Sequence, residues 1–365
     1  MPANAAPQDG GKSIIRGDQW HLRYLNVDKA HRVSQGSGVL VAVPDTGVDA
    51  HSDLRRNLRS GKDIISGGSG DGRRDRDSHG TSMAGLIAAH GQGGAIGALG
   101  IAPRASILPI FASPSNGEGD PDALAQAIDY AVAQGVGVIS ISSGGSSSNR
   151  LIQAVKRAVT SNIVVVAAAG NRPEDVEVTY PASEDGVIAV SGIDQMGRHA
   201  TISTTGPEID VAAPAVDIYS TSYDGKYSKG TGTSGATAIV AGAAALIRSK
   251  YPHLPASEVV HRLTATAVDK GPPGRDDEYG YGVIDLVAAL TADVPPLGFE
   301  PPAADAPAEP GPTTTVVAEP AEEGDGGATA RGLGALGVIV AVVGAWALIA
   351  RRRRLGDDPP PRISR

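Results

Sequence analysis

Five runs of strand length recur between residues 38 and 192: GVLVAVP (38–44), ASILPIFA (105–112), VGVISIS (136–142), IVVVAAAG (163–170) and GVIAVSG (186–192). They are apolar almost throughout instead of alternating, which is the pattern of strands covered on both faces and hence of a parallel sheet. Parallel neighbours need long crossovers. Segments with helical character stand between the runs: HGTSMAGLIAAH (79–90), DALAQAIDYAVAQG (122–135) and NRLIQAVKRAVTSN (149–162). The expected fold class is α/β, an open, mostly parallel sheet with helices on both faces and right-handed crossovers. In such sheets the chemistry gathers at the carboxyl ends of the strands.

Aromatic residues make up only 4% of the 365-residue chain, so this core is built from Val, Ile, Leu and Ala. Cysteine is absent, which excludes disulfides, thiolate metal sites and a cysteine nucleophile. The formal charge of −8 is unevenly spread: about −5 over 1–291, −8 over 292–330 and +5 over 331–365. No basic face with interleaved aromatics occurs in the main body, so nucleic acid is not an expected partner.

The far end reads differently. Residues 292–330 are rich in Pro, Ala, Glu and Gly and carry no basic residue, the composition of a disordered linker. Then LGALGVIVAVVGAWALIA (333–350) has no charge and is followed by four arginines, 351–354. Eighteen apolar residues rise about 27 Å as a helix, close to the roughly 30 Å hydrocarbon core, so one C-terminal transmembrane helix is expected over 331–352. The arginine cluster places the basic tail, 353–365, in the cytoplasm and the larger N-terminal part outside. Residues 1–20 hold no apolar stretch of signal-peptide length, so that orientation implies an export signal upstream of Met1. The expected organisation is an N-terminal extension (1–19), a large α/β domain (20–291), the linker, the span and the tail.

Three short stretches carry candidate chemistry. In VAVPDTGVDAHSDL (41–54), Asp45 ends an apolar strand before a Thr-Gly turn; alone it reads equally well as an Asx-turn. In DSHGTSMAGLIAA (77–89), His79 opens a small-residue helix; a lone His is more often a packing or surface residue. In KGTGTSGATAIVAGAAALIRSKYP (229–252), Ser234 precedes a long apolar run, where a serine usually caps a helix. Together they form an acid, a histidine and a serine in the order Asp…His…Ser, one of the chain orders in which a catalytic triad occurs.

With these blocks the chain resembles the subtilisin-like serine proteases of the S8 type over about residues 20–291. The resemblance implies an Asp45–His79–Ser234 triad and an acyl-enzyme mechanism. It implies that Asn171, closing AAAGN (167–171), joins the Ser234 N–H in an oxyanion hole. It also implies that SISSGG (140–145) pairs with an extended protein or peptide substrate. A primary pocket would be lined by Ser142, Ser143, Gly144, Gly145, Ala168 and Gly170, made shallow by Thr179 where the family commonly has glycine.

Two departures stand out. Pro44 precedes the acid where the family has Ile or Leu, and Gly235-Ala236-Thr237-Ala238 follows the serine where Met-Ala-Ser/Thr-Pro is common. Asp53 matches a calcium-ligand position of secreted subtilisins, but the partner loop is altered to HGQGGAIG (90–97), so no cofactor is expected and calcium is not favoured. The short N-terminal extension, linker and C-terminal span resemble the mycosins, membrane-anchored proteases associated with type VII secretion. The leading expectation is a membrane-anchored serine endopeptidase of that kind. The alternatives are a catalytically weak homologue acting as a scaffold of a secretion complex, and a non-enzymatic ligand-binding domain on a stalk.

Overall fold

The computed structural model describes residues 15–65, 69–93, 95–114 and 119–298. The expected span, the basic tail and the linker beyond residue 298 lie outside the described residues. Among the described residues, no helix is long and apolar enough to cross a membrane.

The strands are β1 (Leu40–Asp45), β2 (Lys62–Asp63), β3 (Ser106–Phe111), β4 (Val138–Ile141), β5 (Val164–Ala168), β6 (Val187–Ile193) and β7 (Val211–Pro214). They form one sheet in the order β2-β3-β1-β4-β5-β6-β7, with each neighbouring pair parallel. A separate antiparallel hairpin joins β8 (Ile218–Thr221) to β9 (Tyr227–Gly230). All five apolar runs are strands of the sheet; the short β2 and β7 and the polar hairpin carried no such signal.

The helices are α1 (Trp20–Tyr24), α2 (Val27–His31), α3 (His79–Ala88), α4 (Pro121–Ala133), α5 (Asn149–Thr160), α6 (Thr233–Lys250), α7 (Ala256–Ala265) and α8 (Leu286–Thr291). Because strand side chains alternate faces, neighbours within a strand enter different cores. Val41, Val43, Val164 and Val166 pack with α3, α6, α7 and α8. Ala42, Ile139, Ile141 and Val165 pack with α4 and α5. Two apolar layers therefore sandwich the sheet, as the unalternating runs require.

Helix α6 is buried along nearly its whole length, packed on β4 to β7 and on α3. Its small residues permit this: a Cβ on Gly242 would lie 2.6 Å from Ile101 Cβ.

The chain leaves β1 for one side of the sheet and resumes at β4 on the other. The β1/β4 boundary is thus a topological switch point, where open α/β sheets place their sites. Pro44 lies here. Leu40 C=O accepts from Gly137 on the β4 side and Asp45 C=O from Ala112 on the β3 side. By alternation Pro44 faces β4, where the register with β1 has ended at Ala42. The proline has no N–H to give β4, and the recorded β1/β4 pairing stops two residues before it. The first linker residues run along α7, with Leu297 N–H donating to Glu258 Oε1 (2.9 Å).

Candidate active site

The carboxyl ends of β1, β4 and β5 deliver Asp45, Ser142 and, after a short turn, Asn171 to one edge of the sheet, where α3 and α6 begin. Asp45 is buried, 5% exposed, and its Oδ1 accepts the Thr46 N–H at 2.7 Å. Its two oxygens lie 2.8 and 3.0 Å from His79 Nδ1. His79 is the first residue of α3. The next residue must be glycine, because a Cβ on Gly80 would stand 2.0 Å from the Gly47 carbonyl oxygen and 3.2 Å from Asp45 Cβ. The close seat of the helix on the acid's own turn sets the carboxylate–imidazole contact.

Burial disfavours the imidazolium, but the charge and hydrogen bond of Asp45, with Asp77 and Asp75 beyond, outweigh it and hold the His79 pKa above its ordinary 6.5. Its Nε2 is buried without a hydrogen-bond partner.

Sequence reasoning missed what fixes this pair. Asp75 is buried, and its carboxylate gathers five donors: Thr46 Oγ1 (2.7 Å), Asp77 N (2.9 Å), Ser78 N (3.0 Å), Thr81 N (2.8 Å) and Thr81 Oγ1 (2.5 Å). Thr46 Oγ1 in turn accepts from Gly80 N (3.0 Å). One carboxylate thus ties the turn after Asp45 to the first turn of α3. The available signal was the spacing DRDSHGT, with an acid four residues before the histidine and a threonine two after it.

Ser234 is the second residue of α6, not its cap; the N-cap is Gly232, and no side chain caps the helix. At that position the Ser234 N–H has no intrahelical partner, and the positive end of the helix dipole lies beside it. The Ser234 hydroxyl donates to the Ser142 carbonyl at 2.9 Å, while Ser142 Oγ donates to the Ser234 carbonyl at 3.2 Å. The expected hydrogen bond from Ser234 Oγ to His79 Nε2 is therefore not made. Both residues nevertheless line the same cavity, of about 240 Å³, together with Asn171. Asn171 Oδ1 accepts from Thr233 N–H (2.9 Å) and Thr233 Oγ1 (3.3 Å), which fixes the amide so that Nδ2 is its remaining donor edge.

Of the six expected pocket residues, three line one cavity and Ala168 and Gly170 do not. Ser143, Gly144 and Gly145 line a small cavity with Pro44, Leu151 and Tyr180, whereas Ser142 is buried and turned to Ser234. Thr179 stands between the two expected walls. Its Oγ1 lies 3.5 and 3.4 Å from the Ala168 and Ala169 carbonyls, and 2.0 Å from where a Cβ on Gly144 would be. Gly170 C=O accepts from Thr233 Oγ1 (3.2 Å), linking that wall to α6.

Asp53 offers a test of the calcium expectation. Its oxygens already accept from Gln92 Nε2 (2.7 Å), Ala98 N (2.8 Å) and Tyr227 OH (2.8 Å). The nearby carbonyls of Gly97 and Ile96 accept from the Arg16 guanidinium, at 2.9 and 3.4 Å. A filled carboxylate facing a fixed cation does not fit a calcium ion.

The sequence model of the Subtilase family, peptidase S8, matches residues 36–282. The chain belongs to the subtilase family. This subtilase is 42% identical over 260 residues to subtilisin DY of Bacillus licheniformis, covering 70% of this chain and 92% of that one. It is 39% identical to a thermostable alkaline protease of Halalkalibacterium halodurans, over 73% and 71% of the two chains. It is a serine endopeptidase of that family.

Among solved structures, MycP1 from Mycobacterium smegmatis matches with a TM-score of 0.67 at 29% identity, over 79% of this chain and 89% of that one. MycP3, a protease from the type VII (ESX-3) secretion system, matches with 0.65 at 33%, over 75% and 88%. The subtilase is therefore structurally close to the mycosins.

Proposed function

We propose that Ser234, His79 and Asp45 are the catalytic triad of this endopeptidase and that Asn171 Nδ2 and Ser234 N–H form its oxyanion hole. The observation that carries the assignment is the Asp45–His79 Nδ1 pair, with His79 Nε2 left unpartnered, on a cavity that His79 and Ser234 both line. Neutral His79 takes the Ser234 proton as the hydroxyl attacks the scissile carbonyl, then gives it to the leaving amine. Asp45 holds the imidazole tautomer and stabilises the imidazolium. Charge developing on the carbonyl oxygen meets two fixed donors at the dipole's positive end. One such donor is worth about 10²–10³ in kcat, a range measured in part on subtilisin itself.

The substrate's acyl side lies along 142–145, and Thr179 makes the pocket there shallow, favouring small or medium apolar residues before the scissile bond. Asp53 serves as a structural carboxylate with Arg16 in place of a metal. The protease is anchored by 331–352 with its catalytic domain outside the cell, and it works with a type VII secretion apparatus. This part rests on the apolar stretch flanked by four arginines and on the likeness to MycP1 and MycP3. Shaving intact cells with an added protease tests it: the catalytic domain is degraded and the Arg-rich tail survives, and the reverse outcome defeats the topology.

The Ser234–Ser142 hydrogen bond favours one second reading, a catalytically weak homologue that scaffolds a secretion complex. Casein hydrolysis by the purified protein, abolished in Ser234→Ala, separates the two.

A further inference from the structure

The 240 Å³ cavity beside Ser234 is larger than the triad needs. Met83 and Leu86 of α3, Ile218 of β8 and Gly235 of α6 line it, together with polar residues that include Asp77 and Lys229. It touches His79, Ser234 and Asn171, but none of 142–145 lines it. The two sides of the site are thereby distinguished. Residues 142–145 hold the acyl side of an extended substrate, whereas the cavity follows α3 away from His79, the group that delivers a proton to the leaving amine.

Gly235 is what opens it. Gly235 is buried within α6, its backbone is ordinary helix, and glycine is a poor residue there. A Cβ at this position would meet Leu86 Cδ1 at 3.6 Å and Ile218 Cγ1 at 3.9 Å, ordinary contact distances. Neither backbone geometry nor crowding demands glycine. A long side chain grown from residue 235 would enter the cavity and fill it.

We propose that this cavity is a binding pocket for a bulky apolar side chain, of the Leu, Met or Phe class, on the residue just after the scissile bond, and that Gly235 determines that specificity. The proposal rests on the triad assignment above. Together with the shallow pocket behind Thr179 it inverts the usual weighting: selectivity lies with the leaving residue more than with the acyl residue.

The test uses paired peptides that differ only in Leu or Gly after the cleaved bond, assayed with the wild type, Gly235→Ala and Gly235→Met. The wild type is expected to favour Leu by about 10–100-fold in kcat/KM, the range that apolar pocket contacts supply. Gly235→Ala reduces the ratio, and Gly235→Met brings it toward unity. Fluorophosphonate labelling of Ser234 is read on each protein. A labelled wild type that cleaves both peptides equally overturns the pocket alone, as does a Leu preference that persists in a labelled Gly235→Met. Absence of labelling in the wild type overturns the triad assignment and the pocket with it. A Gly235→Met protein that fails to fold leaves the decision to Gly235→Ala, where an unchanged ratio overturns the proposal.

Discussion

Ser234 Oγ donates its hydrogen bond to the carbonyl of Ser142 at 2.9 Å, not to His79 Nε2. The proposed nucleophile thus rests against the segment assigned above to the acyl side of the substrate. In the mechanism proposed above, attack requires the hydroxyl to leave that carbonyl for the His79 imidazole, which lines the same cavity.

The raised pKa of His79 has two consequences of defined sign. The base is the neutral imidazole, so kcat/KM rises with pH along a limb whose midpoint lies above 6.5. Asp45→Asn removes the charge that holds that pKa up and shifts the midpoint downward, while kcat falls by about 10⁴-fold, as for the equivalent change in other triads. The same group contributes folding stability that is fully present below the unfolded pKa of 6.5 and is lost as pH rises through the higher folded value. A pH–rate profile with denaturant melts at pH 5.5 and 8.5 checks both; a limb below 6.5 in the wild type contradicts the account.

Asp75 should act as a positioning residue. Asp75→Asn leaves a group of similar size that cannot accept all five hydrogen bonds, stranding buried donors at about 1–3 kcal/mol each. Loss of stability alone would be a structural effect. Positioning predicts in addition that kcat falls with KM little changed and that the His79 titration moves, measured by rate profile or by imidazole NMR. A destabilised variant with unchanged kcat and pH profile refutes that role.

Calcium should not matter. Chelation by EDTA or addition of millimolar calcium leaves Tm unchanged, because Arg16 and Gln92 already satisfy the loop and Asp53. Arg16→Ala is expected to cost about 1–2 kcal/mol, or roughly 2–8 °C in Tm. A wild-type Tm that rises with calcium shows that a metal does bind.

Thr179→Gly should deepen the acyl-side pocket by removing the side chain that abuts Gly144. Peptides with Phe or Tyr before the cleaved bond then gain on those with Ala by about 10-fold or more. A wild type that already prefers Phe or Tyr there contradicts the assignment of Thr179.

How much of this was legible in the sequence follows from how each feature is encoded. The five strands with apolar runs were readable because burial on both faces forces such runs. Strands β7 (VAAP), β8 and β9 were not: β7 ends in a proline, and β8 and β9 are largely polar, with their pairing set by neighbours elsewhere. Asp45, His79 and Ser234 were legible as blocks because each needs its particular neighbours, Gly80 most plainly. Ser234 was nonetheless first readable as a cap, since the residues before a helix do not reveal which of Gly232, Thr233 and Ser234 opens it.

The Asp75 nest left a local signal in DRDSHGT, whereas the Arg16 contact and the Gly235 cavity were illegible for a common reason. Each depends on distances between segments that only the fold brings together, Arg16 with Gly97 and Gly235 with Leu86 and Ile218.

The central claim is that Ser234 is a nucleophile activated by His79. The most direct measurement is intact-mass and peptide-level detection of fluorophosphonate labelling on the purified protein and on His79→Ala. The account predicts a single adduct on Ser234 that forms rapidly in the wild type, increases in rate with pH above 6.5, and is slowed by orders of magnitude in His79→Ala. No adduct on Ser234, or equal labelling with and without His79, would contradict it.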